Sequence, residues 1–177
     1  MPLSRWFRGG TPTLRDRVVK GLQQARDGDA DGAIATIAER FSDALAELRG
    51  LPERVDAGWL RLAARLAYRA GNMPAAADFA QQALAAGEDA ATWNLLGRIR
   101  VWLGDDDAST AFARAAAMRP QTYGVPHRVS RDRFARLAEE ALAGIPETFQ
   151  TQMSNTMIVV DDLPDIDAVR EGEDPDL

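Results

Sequence analysis

The sequence of 177 residues contains a single histidine and no cysteine, and the absence of cysteine excludes disulfides and thiolate metal sites. The absence of cysteine is typical of a protein in a reducing cytoplasm. No apolar run approaches the roughly 20 residues that span a bilayer, and the amino-terminal residues lack the apolar core of a signal peptide. With 46% apolar residues the chain is long enough to bury one sizeable core. Since cysteine, a signal-peptide core and a membrane-spanning run are all missing from the sequence, we expect a cytoplasmic protein.

Charge is distributed unevenly along the chain. The net charge is −6, but residues 161–177 carry eight carboxylates against Arg170 alone, so the remaining residues sum to +1. The first twenty residues instead carry four arginines and one lysine against Asp16. This polarity indicates either an interaction, within the chain or with a partner, or two charged ends that are simply solvated.

Residues 90–120 show two helical patterns on either side of the turn GDDD at residues 104–107. Apolar or small side chains recur every three to four residues in both patterns, which is typical of helices with one buried stripe each. Small residues suit a close helix crossing, and large aromatic residues fill the holes that a neighbouring pair leaves. The segment therefore predicts an αα-hairpin, built on Trp93, Leu96, Gly97, Gly104, Ala108, Phe112 and Ala115 and ended by Pro120.

The order and spacing of these residues resemble the tetratricopeptide repeat, with Arg100 where that family usually carries Tyr. Residues 56–89 repeat the plan with Trp59, Gly71 and Ala76, and residues 14–48 keep only its turn. The resemblance covers residues 14–120 and implies a stack of αα-hairpins, two good repeats and one degenerate. About ten extra residues before the second repeat predict that the second helix of the first one extends through Arg49.

A second resemblance covers residues 130–177. A helical stripe that includes Phe134 and Leu137 ends at an Ile-Pro step, and the β-branched run MIVV at residues 157–160 predicts a short strand before the acidic residues. This order is similar to the N-terminal part of a bacterial zincin-like family of minimal zinc metallopeptidases. The HExxH segment of that family is missing, since the one histidine, His127, lies in a linker. This chain is thus predicted to hold no catalytic residue, cofactor or metal, with zinc only if a C-terminal half follows residue 177.

The predicted fold is all-α: a tetratricopeptide-like array with a C-terminal helix, a short strand and an acidic tail. Its predicted parts are a basic flexible arm (1–12), a helical repeat domain (13–120), a linker (121–129), a helix–strand appendage (130–162) and an acidic tail (163–177).

Arginines at positions 61, 65 and 69 recur every four residues and therefore share one face of a helix. The tetratricopeptide resemblance implies that this face lines a concave groove, formed by Arg61, Arg65, Tyr68, Arg69, Asn94, Arg98 and Trp102. Arginine binds carboxylates bidentately, so the expected guest is an acidic or extended polypeptide, with the chain's own tail as one candidate. The alternative is that these arginines are ordinary solvated helix residues.

Two classes of function remain open. The first is a protein–protein interaction module with a basic groove. The second is the substrate-recruiting part of a zinc metallopeptidase whose catalytic half lies beyond this chain. A nucleic acid is not an expected partner, because the acidic tail opposes attraction to phosphate. A membrane is not an expected partner either.

Overall fold

The computed structural model describes residues 11–127, 129, 131–146, 149 and 163–176. Within these residues all regular secondary structure is α-helical, which confirms the predicted all-α class. The strand expected at residues 157–160 and residues 1–10 of the basic arm lie outside the described part. The helices are α1 (Leu14–Arg26), α2 (Ala30–Ile37), α3 (Phe41–Arg49), α4 (Ala57–Arg69), α5 (Met73–Ala86), α6 (Ala90–Trp102), α7 (Ala108–Met118), α8 (Arg131–Ala143) and α9 (Ile166–Glu171).

Three pairs of consecutive helices pack along each other: α1 with α2, α4 with α5, and α6 with α7. Each pair is joined by a turn that contains a glycine of positive φ, namely Gly28 at 91°, Gly71 at 69° and Gly104 at 67°. A residue with a Cβ is strained in this conformation, whereas glycine is not. The glycine is therefore what allows each chain reversal within a few residues.

The prediction of one continuous second helix through Arg49 is wrong, because α2 ends at Ile37 and α3 begins at Phe41. Between them Ala38 and Arg40 adopt positive φ values of 66° and 56°. Both are non-glycine residues, so the break carries backbone strain. The strain is offset by packing, since the change of direction lets α3 contact both α1 and α4 and buries Phe41.

Helix α4 lies at the centre of the core and contacts α1, α2, α3, α5 and α6. Its Leu62 and Leu66 are fully buried, and Trp59 packs edge-on against Phe79 of α5 with ring centroids 5.8 Å apart. A Cβ on Gly58 would lie 2.6 Å from the Arg26 side chain, so only glycine permits this approach of α1 to α4. The core is therefore continuous from the first helix pair to the second.

The pair α6 and α7 crosses closely at Gly97, where a Cβ would lie 2.8 Å from the ring of Phe112. Trp93 is half-buried, with the Arg114 guanidinium 5.2 Å from its ring centroid. Pro120 follows the end of α7 by two residues. The remaining residues predicted to pack the repeats are buried, namely Ala76, Leu96, Ala108 and Ala115.

Helix α9 lies within the predicted acidic tail, for which the sequence pattern predicts no helix. It begins at the capping side chain of Asp165, which accepts a hydrogen bond from the Asp167 N–H, and ends at Gly172 with a φ of 118°. Its Val169 is only 1% exposed, so this segment packs against the rest of the molecule. Across the described residues, none of the helices combines the length and apolar character needed to cross a membrane.

Candidate functional site

Six of the seven residues predicted to bind a peptide form one surface along α4 and α6. We call this surface the groove. Three of its side chains follow one another at intervals of four residues on α6 and therefore share a face of that helix. The groove consists of Arg65, Tyr68 and Arg69 of α4 and of Asn94, Arg98 and Trp102 of α6.

The seventh predicted residue, Arg61, has a different role. Its Nε donates a 2.8 Å hydrogen bond to the Asp89 carboxylate, and Asp89 also caps α6 by accepting from the N–H of Thr92. Arg26 of α1 makes the corresponding contact with Asp56, which caps α4, at 2.9 Å. Both arginines thus join successive helix pairs, and the Arg61 charge is paired with the Asp89 carboxylate within the fold.

Arg65 is also paired within the fold. Its Nη1 lies 3.0 Å from the Asp31 carboxylate of α2, and its side chain is only 15% exposed. Arg69 and Arg98 instead pair with carboxylates of the C-terminal segment, defined here as residues 163–176. The four predicted groove arginines therefore divide into two that hold the fold together and two that bind an acidic segment.

Two carboxylates of the C-terminal segment contact the groove. Arg69 forms an ion pair with Asp174, and the Arg98 Nη1 lies 2.5 Å from an oxygen of Asp176. The other oxygen of Asp176 accepts a 2.6 Å hydrogen bond from the Tyr68 hydroxyl. One carboxylate thus receives donors from both α4 and α6, which fixes its position across the groove.

The C-terminal segment also makes apolar contacts with the rest of the molecule. Val169 is buried, and Ile166 packs against the hydrophobic core. A Cβ on Gly71 would lie 3.0 Å from the Cγ of Arg170, so α9 approaches the turn between α4 and α5 closely. Pro175 is buried as well. The C-terminal segment is therefore held by both its aliphatic and its acidic side chains.

The guanidinium of Arg69 contacts an aromatic ring of the core as well as the Asp174 carboxylate. Its Cζ lies 5.1 Å from the ring centroid of Phe41, the residue that begins α3. A cation above an aromatic face is attracted to the ring and loses rotational freedom. The break between α2 and α3 therefore contributes to the groove, because it brings Phe41 beneath Arg69.

The packing of the C-terminal segment shifts the pKa values of Asp174 and Tyr68. Burial disfavours the charged form of Asp174, but the hydrogen bonds from Arg69 and from the Asp176 N–H outweigh it and lower the pKa of Asp174 below its usual 3.8. Burial and the hydrogen bond to the Asp176 carboxylate raise the pKa of the Tyr68 hydroxyl well above its usual 10.0. Both shifts favour the protonation states that the contact needs at neutral pH.

A cavity of about 170 Å³ remains beside Asp176, between α2, α4 and α6. Trp102 lies next to a second cavity of about 190 Å³ together with Leu163 and Pro164 of the C-terminal segment. The first cavity is lined by polar side chains that include Asp31, Arg65, Asn94, Arg98 and Tyr123. Asp31 and Tyr123 were not predicted, because they reach the groove from α2 and from the linker, and local periodicity does not show such a contact.

The described residues contain no group of three or more His, Asp or Glu side chains arranged to hold a metal ion. His127 is exposed in the linker. The middle of the segment behind the metallopeptidase resemblance, including residues 150–162 with the expected strand, lies outside the described part, so recruitment for a zinc enzyme stays a prediction.

No protein-family model, curated protein or solved structure matches this chain.

Proposed function

We propose that this chain is a protein-interaction module of the tetratricopeptide-repeat type, and that its groove binds an acidic segment of polypeptide. The observation that carries the proposal is the contact of Tyr68, Arg69 and Arg98 with two carboxylates of the C-terminal segment. A surface that binds an acidic segment of its own chain has the donors and the shape to bind a similar segment of another protein.

The repeat type is supported by the three helix pairs and their turns. Gly28, Gly71 and Gly104 occupy corresponding turns with positive φ, and each pair contacts the next. A helix pair of this kind leaves an apolar face that only a neighbouring pair can cover. Stacking of pairs also brings the first helices of successive pairs together, and α4 and α6, which form the groove, are two such helices.

A polypeptide is favoured over a small anion because the contact is long and of mixed character. It combines ion pairs at Arg69 and Arg98 with the burial of Val169 and Pro175. A free carboxylate or phosphate would satisfy the arginines but leave the apolar part of the surface uncovered. Residues of the chain that follow one another satisfy both parts at once.

The test uses the full chain with its own C-terminal segment released by Val169→Asp. A carboxylate in place of a buried valine carries a large desolvation cost, so the segment leaves the groove while α1–α7 keep their contacts. A fluorescently labelled synthetic peptide of residues 163–177 is then titrated and followed by anisotropy. We expect saturable binding to this chain and about tenfold weaker binding to unsubstituted chain, whose groove is occupied.

Arg98→Glu in the released chain is expected to abolish the binding, because it places a carboxylate opposite Asp176. Lys20→Glu is the matched control, since it makes the same charge change on an exposed lysine of α1 outside the groove. Binding that is absent from the Val169→Asp chain, with a circular dichroism spectrum equal to that of the unsubstituted chain, would contradict the proposal. Equal binding by the Arg98→Glu and Lys20→Glu chains would contradict it as well.

A further inference from the structure

The C-terminal segment shows which features of an acidic polypeptide the groove contacts. Its carboxylates do not contribute equally. Asp165 caps α9, Asp167 pairs with Arg170 of the same helix, and Glu171 and Glu173 are exposed. Among the described residues of the segment, the carboxylates that meet groove arginines are those of Asp174 and Asp176.

These two carboxylates are placed as a unit. The Asp174 Oδ1 accepts a 3.1 Å hydrogen bond from the N–H of Asp176, which closes a tight local turn. Asp174 then faces Arg69 at the end of α4, and Asp176 faces Arg98 in the middle of α6. The two arginines belong to different helix pairs, so the distance between them is set by how the pairs stack. A segment must therefore carry its carboxylates at a matching spacing.

Two other residues of the C-terminal segment are buried in this contact. They are Pro175, between the two aspartates, and Val169, five positions before Asp174. Pro175 is buried between the aspartates, where its fixed φ reduces the entropy lost when the turn forms. Val169 supplies the buried aliphatic side chain, and Gly172 with a φ of 118° redirects the chain from α9 toward the groove. The contact therefore involves an aliphatic residue, a glycine turn and an Asp-Pro-Asp sequence in this order, and not only a general negative charge.

We infer that the groove recognises a specific signature, an aliphatic residue on a short helix followed five positions later by Asp-Pro-Asp, and that its ligand is a partner polypeptide with this signature. The inference rests on the proposed function and names the kind of partner. Such a partner competes with the chain's own C-terminal segment, because both require Arg69 and Arg98. Exposed ion pairs alone would not discriminate among acidic sequences of equal charge.

The first experiment titrates three labelled peptides into the full-length Val169→Asp chain. One peptide has the sequence of residues 163–177, the second carries Asp174→Asn with Asp176→Asn, and the third carries Glu171→Gln with Glu173→Gln. The last two have equal net charge and the same spacing between the changed positions, so charge alone predicts equal binding. We expect a loss of about tenfold for the aspartate pair and a change within about twofold for the glutamate pair.

The second experiment places the same two pairs of substitutions in the full chain with Val169 retained. The aspartate pair weakens the chain's own segment, so the unsubstituted peptide is expected to bind this chain about tenfold more tightly than the glutamate-pair chain. Equal binding of the two substituted peptides in the first experiment would overturn the signature and leave the proposed function intact. If no peptide binds the Val169→Asp chain or the aspartate-pair chain, both the proposed function and the signature fail.

Discussion

The Tyr68 hydroxyl donates a 2.6 Å hydrogen bond to the Asp176 carboxylate, which lies 108 residues further along the chain. Tyr68 is buried in α4, and its hydroxyl meets the Asp176 carboxylate in the groove. The bond joins the central helix of the core to the C-terminal segment. A buried hydroxyl without a partner is unfavourable, and this contact therefore links the stability of the groove to its occupancy.

Tyr68→Phe keeps the aromatic ring and removes only the hydroxyl that Asp176 accepts from. We expect the docked state of the C-terminal segment to lose about 1 kcal/mol, while the helices of the core stay intact. Hydrogen exchange of the amides in residues 166–176 measures this loss directly. Tyr123→Phe removes the same atom from a tyrosine that lines the adjacent cavity and serves as the control. Equal exchange rates in the two variants would contradict the role given to the Tyr68 hydroxyl.

Docking of the C-terminal segment is expected to weaken both at low pH and at high pH. We call these two pH ranges the acid limit and the alkaline limit. The folded-state pKa of Asp174 is lowered, so its contribution is fully present above the usual 3.8 and is lost as pH falls through the lower folded-state value. The folded-state pKa of Tyr68 is raised, so its contribution is fully present below the usual 10.0 and is lost as pH rises toward the higher folded-state value.

Amide exchange or the NMR signal of Val169, followed as a function of pH, would measure both limits. Asp174→Asn should remove the acid limit and leave the alkaline one in place. Tyr68→Phe should remove the alkaline limit and leave the acid one. A segment that undocks at neutral pH, or an acid limit that survives Asp174→Asn, would show that other groups control docking.

Gly97→Ala tests the close crossing of α6 and α7. The added Cβ would lie 2.8 Å from ring atoms of Phe112, and a buried ring has little room to withdraw. We expect a loss of about 1–3 kcal/mol in the free energy of unfolding, measured by urea denaturation. Gly124→Ala is the control, because a Cβ there meets nothing within 4 Å. Adding Phe112→Leu to Gly97→Ala should recover part of the loss, since it removes the clashing ring.

Asp89→Ala tests the contact that joins the second helix pair to the third. The Asp89 carboxylate caps α6 through the N–H of Thr92 and also accepts from Arg61. Loss of the cap and of a partly buried partner for arginine should cost about 1–2 kcal/mol. Asp107 is the N-cap residue of α7 but makes no side-chain capping bond, so Asp107→Ala is a matched control with an expected change near zero. An equal loss in the free energy of unfolding for Asp89→Ala and Asp107→Ala would contradict the role given to the Asp89 carboxylate.

Part of the groove was predictable from the sequence, because its residues follow the period of a helix. The spacing of Arg65 and Arg69 placed both on one face of α4, whereas the tetratricopeptide resemblance implied the places of Tyr68, Asn94, Arg98 and Trp102. The same spacing also grouped Arg61 with Arg65 and Arg69, but in the structure its guanidinium donates to the Asp89 carboxylate. Periodicity specifies a face of a helix, but it does not specify which charges are already paired.

The sequence by itself determined the helical class, the glycine turns and the small residue at the crossing of α6 and α7. These features depend on backbone conformation and on side chains within a few residues of one another. Only the tertiary structure decided that α2 and α3 are separate helices and that Arg69 and Arg98 receive the C-terminal segment. The physical reason is that such contacts join residues distant in the chain, and their energies depend on how whole helix pairs stack.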